Sequence, residues 1–436
     1  MRPRLKDVFW ERCGAELRLV RDAQEQLRLD DPDGMVELLL DLLCKGSRTP
    51  PELAEVVGVP VAAVERVVDV LDRHRLLVDD ERAGRIGADT RDRYADNLAF
   101  FDPYATLTLG REDMLERLRT AHVLLLGLGG VNMTAAAQLC GLGVDRLTVV
   151  DAGTIGTRDL GWQPFARSRD VGSRTVRRAA AWLREAEPSL HVDAVDSAVT
   201  GLSALAAMLD RYCPDLVIVD AIGPVTGAQS GGPAARPVMP GPAGGPAAHG
   251  SMGHSSAVLG SMVHGSAMLG SAVHGSPLHS SAVHGSAVGG PVPGGSALGE
   301  IFGGDGVDVW VNAACVAAGL PFVRAIIGAA SAAVYSVDPG RSGCVACMAS
   351  GSASAQAPAV MRLINERPGG GLHIGPVAGL LGSLVAFEAM RYLTGFEPPA
   401  YAGQPVHVEI NSGGGLRRLG WERSPSCPVC RRADPR

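Results

Sequence analysis

The chain opens with three short runs in which apolar and polar side chains alternate, Val8-Phe9-Trp10, Glu16-Leu17-Arg18-Leu19 and Gln26-Leu27-Arg28-Leu29, separated by Gly14 and the polar stretch 22–25. Successive side chains of a strand point to opposite faces, so this period of two predicts a three-stranded antiparallel meander. From Met35 the spacing lengthens to the three-and-four pattern of helices. It predicts one helix over Met35 to Cys44, a second from Thr49 and a third over Val61 to Leu76. In Thr49-Pro50-Pro51-Glu52 the hydroxyl can accept from the third helical amide while the carboxylate reaches back, and proline in the first turn forfeits no bond. Strands followed by three short helices predict a winged-helix domain over residues 1–80. On its third helix Val61, Val64, Val68 and Leu71 form one stripe, and Ala63, Val67, Val70 and His74 form a second beside it. One stripe suffices for packing on a domain core, which leaves the second available to a partner.

Residues 81–118 read as a linker. From residue 119 buried strands alternate with helices: a strand over His122 to Gly127, a helix over Met133 to Leu142, a strand over Arg146 to Val150, a helix over Thr175 to Ala186 and a strand over Leu216 to Val219. That alternation predicts a doubly wound α/β sheet, whose first part ends near 224. Over 225–306 Gly, Ala, Ser, Pro and His take over, with His254, His264, His274 and His284 at ten-residue spacing. Such a composition cannot bury enough surface to offset its ordering entropy and predicts a long disordered insertion, with weak metal affinity of the histidines as the alternative. The second part, 307–436, resumes with a helix over Asn312 to Gly319, a strand over Pro321 to Ile327 and a long amphipathic helix over Gly379 to Thr394.

At 436 residues the chain holds roughly three domains' worth of sequence. Its 46% apolar and 20% charged residues suit a globular protein, and a net charge of -6 argues against a nucleic-acid partner, which needs a basic face. No window of about 18 apolar residues and no signal-type start is expected in the chain, which predicts a cytoplasmic protein with no membrane contact. Nine cysteines in which two tight pairs stand out suggest metal binding rather than a disulfide framework.

Gly127-Leu-Gly129-Gly130-Val-Asn132 follows an apolar strand and opens a helix, where small residues let a phosphate approach amides at a helix N-terminus. Asp151 ends the next strand, placed to accept from ribose hydroxyls. The alternative is that these glycines only permit tight packing. Cys344-Val-Ala-Cys347 and Cys427-Pro-Val-Cys430 supply four thiolates, the number and softness of a closed tetrahedral zinc site; a redox pair is the alternative for either motif alone. Cys13, Cys44, Cys140, Cys213 and Cys315 sit in apolar surroundings and read as ordinary buried cysteines.

Together with Asp170-Val171-Gly172, Asn312-Ala-Ala-Cys315 and Gly382-Ser-Leu-Val-Ala-Phe-Glu388-Ala, these pieces resemble, in order and spacing, the ThiF-like adenylyltransferases, the superfamily that includes the ubiquitin-activating enzymes. In that family ATP with magnesium adenylates a C-terminal carboxylate. The departures matter. The family's phosphate-neutralising arginine falls at Trp162, its lysine at Thr175 with Arg174 beside it, its metal-holding aspartate at Gly223 and its last motif glycine at Asn132. Nucleotidyl transfer depends on placed cations and a metal-holding carboxylate. The resemblance therefore implies a vestigial nucleotide-like pocket of Gly127, Gly129, Gly130, Asp151 and Arg174, with no catalytic residue and with ATP not used.

The first 80 residues resemble the PqqD-like elements that bind leader peptides of ribosomally made, modified peptides. The whole resembles the leader-binding partner proteins of azoline-forming pathways, thiopeptide ones included. This implies binding of a precursor leader by Leu27, Leu29, Ala63, Arg66, Val67, Val70, Arg73 and His74, delivery to a separate YcaO cyclodehydratase, and a structural zinc on Cys344, Cys347, Cys427 and Cys430, with a homodimer left open. An ATP-dependent adenylyltransferase acting on a peptide and a winged-helix DNA-binding regulator are the alternatives. The near balance of Arg66, Arg73, His74 and Arg75 against Glu65, Asp69 and Asp72 weighs against the latter.

Overall fold

The computed structural model describes residues 1–21, 26–82, 84–220, 307–327, 331–349, 374–410, 415–418 and 420–430, which belong to one compact unit. The expected insertion at 225–306 and Gly223 lie outside the described residues.

At the N-terminus β1 (Pro3–Leu5) precedes the meander, in which β2 (Phe9–Cys13), β3 (Glu16–Val20) and β4 (Gln26–Asp30) pair antiparallel in that order. Alternation sends Leu17 and Leu19 into the core and leaves Arg18 partly exposed. Three helices follow, α1 (Met35–Lys45), α2 (Pro50–Val57) and α3 (Val61–Arg73). The box at α2 forms as its residues dictate, with the Thr49 amide donating to Glu52 at 2.7 Å. α3 stops at Arg73, short of Leu76, because Arg75 takes a left-handed φ of 57° and turns the chain into β5 (Leu77–Asp79), which pairs antiparallel with β1. Val64, Val68 and Leu71 pack in this module's core, but Val61, expected with them, is 38% exposed.

The stretch at 81–118, expected as a linker, instead carries α4 (Ala88–Arg93), α5 (Ala95–Phe101) and most of α6 (Arg111–Thr120). Leu107, between α5 and α6, is buried in the core of the N-terminal module.

The larger sheet is α/β as expected. Its elements in chain order are β6 (His122–Leu126), α7 (Gly130–Leu142), β7 (Arg146–Val150), α8 (Thr175–Ala186), β8 (His191–Val195), α9 (Leu202–Tyr212), β9 (Leu216–Val219), α10 (Val307–Ala318), β10 (Phe322–Ile327), β11 (Ser331–Val337), α11 (Val345–Ala349), α12 (Gly375–Thr394), β12 (Val406–Glu409) and β13 (Gly415–Arg418). The order β8-β7-β6-β9-β10 is parallel throughout, and β11, β12 and β13 extend it antiparallel beyond β10. The strand order reverses between β6 and β9, the switch point at which an open α/β sheet leaves a crevice beyond its strand ends.

α12 lies on α7 at a distance only glycine allows: a Cβ at Gly382 would sit 2.5 Å from Thr134 Cβ and 2.8 Å from the Val131 carbonyl. Contrary to the expectation that no such window exists, this 20-residue helix is long and apolar enough to cross a membrane. Its buried face, including Val377, Leu381, Val385 and Ala389, packs in the core.

Candidate functional site

Four sulfurs converge where the α11 turn meets the C-terminal segment. Cys344, Cys347, Cys427 and Cys430 are all buried, with ligand atoms within 4.8 Å of one another. Cys344 Sγ lies 3.9 Å from Cys347 Sγ and 3.7 Å from Cys427 Sγ, and Cys347 Sγ lies 3.5 Å from Cys430 Sγ. A tetrahedron of sulfurs about 2.3 Å from zinc has edges of about 3.8 Å. The cluster fits zinc in number, softness and spacing. The Cys344 thiol and then the Ser424 amide, both donating to Cys347 Sγ, hold that thiol below its ordinary pKa against burial. The surroundings fix the knuckles: Asn312 Oδ1 accepts the Val345 amide at 3.0 Å, and Trp421 Nε1 donates to the Gly343 carbonyl at 2.9 Å. Of the remaining cysteines only Cys140 and Cys315 are buried. Cys13, Cys44 and Cys213 are exposed, because each lies at an element end or outer face rather than in the core.

At the switch point the strand ends are tied together, the Gly127 amide donating to Val150 at 2.9 Å and the Asp220 amide to Leu126 at 2.8 Å. Gly127 has a φ of 81°, and a Cβ there would sit 2.6 Å from Asp220 Cβ, so glycine is required twice over. Two carboxylates accept from the loop amides. Asp220 Oδ2 takes the Gly129 amide at 2.6 Å, and Asp151 Oδ2 takes the Leu128 amide at 3.1 Å. Burial raises the Asp151 pKa, against the Gly153 and Leu128 amides that favour its ionised form. Gly130 lies under Trp162, whose Cε3 would be 2.9 Å from a Cβ at that position. Arg174 sits just before α8 with Nε 2.8 Å from Asp196 Oδ2, and the Thr175 amide donates to Gly153 at 3.1 Å. The structure thus brings Gly127, Gly129, Gly130 and Asp151 together, with Arg174 held on Asp196.

Sequence reasoning passed over two groups here, Asp220 and Arg324, and read a third, Asn132, only as a departure from the family's glycine. Asp220 meets the glycine loop only because β6 and β9 are neighbours. Arg324, 1% exposed on β10, donates to the Asp220 carbonyl at 3.1 Å and pairs with Asp308, which also accepts from Tyr335 at 2.7 Å. Asn132, where the family has glycine, donates to the Gly127 carbonyl at 2.9 Å and fills the loop from within. Of Asp220 and Arg324, only the arginine, charged inside an apolar strand run, carried a signal in advance.

On the N-terminal module, Leu27 and Leu29 of β4 and Val67 of α3 are half-buried against the core, Ala63 and Val70 are half-buried beside Val67, and Arg66, Arg73 and His74 are exposed. Arg73 Nε donates to the Asp69 carbonyl at 3.2 Å. β4 is an edge of its sheet among the described residues. The open strand and the partly open stripe therefore belong to one module.

The ThiF family model matches residues 102–224 and 306–429. A curated relative, the adenylyltransferase and sulfurtransferase uba4 of Neosartorya fischeri, is 32% identical over 149 residues, covering 29% of this chain and 31% of that protein. The chain thus spans about a third of the length of that relative. Among solved structures, E. coli MccB is similar with a TM-score of 0.60 at 15% identity, covering 99% of this chain and 97% of that one. The microcin C7 biosynthetic enzyme MccB in complex with N-formylated MccA is similar with a TM-score of 0.56 at 15% identity, covering 99% and 100%. At that identity the likeness is one of fold. The family match takes in more than half of the sequence, and the chain belongs to the ThiF family.

Proposed function

We propose that this protein binds the leader of a ribosomally made precursor peptide on its N-terminal module and presents it to a separate YcaO-type cyclodehydratase that forms azolines, without turning over ATP itself. On this reading the module is a PqqD-like winged-helix recognition element, and the four cysteines hold a zinc that ties the C-terminal segment to the body. The observation that carries the reading is the open β4 edge beside the half-buried stripe of Ala63, Val67 and Val70. An edge strand offers main-chain pairing to an extended peptide, and an apolar wall offers side-chain pockets. A solved relative of the same fold in complex with N-formylated MccA supports the pairing of this fold with a peptide. The absence of turnover is supported by the two carboxylates on the loop amides and by the replacement of the family's cation and lysine by Trp162 and Thr175.

A second reading, an ATP-dependent adenylyltransferase acting on a peptide, draws support from the glycine loop and Asp151 standing at the switch point. Magnesium-dependent pyrophosphate exchange separates the two: none is expected, and exchange abolished by Asp151→Ala would establish the second. For the leader, Val67→Asp should weaken binding by more than tenfold, about 1.4 kcal/mol, with zinc content unchanged. Unaltered affinity in the folded variant would place the peptide elsewhere.

A further inference from the structure

The register of the N-terminal sheet determines what β4 turns outward. The Asp31 amide donates to the Ala15 carbonyl at 2.7 Å. By alternation, Leu17 with Leu29 and Leu19 with Leu27 are then the pairs that exchange hydrogen bonds across β3 and β4. The main-chain amides and carbonyls of Arg28 and Asp30 therefore face the open edge. Their side chains stand on the outer face of the sheet, opposite to Leu27 and Leu29, and both are exposed.

Along that outer face like charges stand directly opposite one another, Arg18 across from Arg28 and Glu16 across from Asp30. Such pairs are unfavourable in an antiparallel ladder, most so where no hydrogen bonds separate the side chains. Arg18 is answered on its other side, where Glu11 lies across from it on β2 and accepts at 3.2 Å. Arg28 and Asp30 form no ion pair among the described residues. The row Glu11, Arg18, Arg28 thus runs negative, positive, positive and lacks its closing member. The row through Glu16 and Asp30 lacks a positive one.

We infer that β4 is completed by an antiparallel peptide strand that carries an acidic residue opposite Arg28 and a basic residue opposite Asp30. Read from its N-terminus, such a strand runs basic, apolar, acidic. Its apolar residue lies opposite Leu29 on the inner face, the side on which Leu29 and Val67 pack against one core. The inference rests on the peptide reading above and specifies the class of peptide. Main-chain pairing with Arg28 and Asp30 gives affinity, and the two charges set the register, since a slip of one residue would carry them to the inner face.

A phage-displayed library of random twelve-residue peptides, panned on the full chain and on the Arg28→Glu/Asp30→Lys double variant, tests this. Both substitutions place an opposite charge across from Arg18 or Glu16, so the sheet should fold at least as well, which melting and zinc content check. Wild type should enrich basic-apolar-acidic triplets and the double variant the reverse order. A wild-type winner should lose at least tenfold affinity on the double variant and regain it when its own two charges are exchanged. Binders that depend on Val67 but show no charge order, or the reversed order on wild type, would overturn the inference while leaving peptide binding intact. Recovery of no binder sensitive to either Val67 or β4 would overturn both.

Discussion

Lys6 is 8% exposed, and its ammonium donates at 2.7 Å to the carbonyls of both Asp102 and Ala105. Burial, partly opposed by Asp102, lowers its pKa from 10.5 to about 8. Between those two values the unfolded chain holds a proton that the folded chain has released, so the Lys6 contribution to stability rises with pH across that window and is flat below it. Lys6→Met should remove that rise, up to about 3 kcal/mol, in denaturant midpoints followed from pH 7 to 10.5; identical slopes in the two proteins would refute it. Cys347→Ser leaves three sulfurs for the metal. Because a structural zinc contributes its binding energy to folding, zinc by atomic emission should fall well below one per chain and the melting temperature should drop with it. Residues of these two kinds differ in how they can be read. Each Cys-x-x-Cys pair brings two ligands together within one turn, so its meaning survives without a fold. Lys6, Asp220 and Arg324 acquire theirs from segments about a hundred residues away.

At the scale of elements, the contact of α12 with α7 is the tightest test of packing. The Gly382 position has backbone as well as side chain within 2.8 Å of where a Cβ would go, and a carbonyl cannot change rotamer. Gly382→Ala should therefore force the helices apart and cost about 1–3 kcal/mol, measured by urea unfolding. A cost within error of zero would mean that the two helices slide freely. Elements whose own residues decide their state were legible: the meander, α1, α2, the parallel strands β6, β7, β9 and β10, and α8 all fall where alternation or helical spacing puts them, whereas the parallel edge strand β8, only partly buried and with polar residues among its five, was not read. β1 and β5 were not, because each is three residues long and exists only through a partner more than seventy positions away. α4 and α5 escaped for a related reason. They run six and seven residues, too short to display a period; α4 buries no residue, and the two that α5 buries, Leu98 and Phe101, are chosen by the neighbours they meet. α7 begins at Gly130, earlier than its apolar spacing suggested, since the glycine loop is itself the helix start.

At the scale of the whole molecule, and among the described residues, the segment 102–109 gathers the contacts that hold the N-terminal module to the ThiF body. Leu107 inserts into the module's core at 6% exposure, and its amide donates to Asp72 Oδ1 of α3 at 2.8 Å. Around it, Lys6 binds the Asp102 and Ala105 carbonyls, Arg21 reaches the Pro103 carbonyl at 3.1 Å, and Arg75 lies over Tyr104 while pairing with Glu397 beyond α12. The polar contacts orient the module, but each trades water for protein and contributes little net. The apolar plug is the one member whose removal leaves a void. Leu107→Ala should thus cost about 2–4 kcal/mol. Because the loss falls on the connection and not on either core's own framework, it should also divide one cooperative calorimetric transition into two, the module unfolding first. Zinc content, which depends on cysteines packed in the core on the opposite face of the large sheet, should not change. A single transition, merely shifted, would show instead that the module has no stability apart from the body, and that segment 102–109 belongs to one indivisible core.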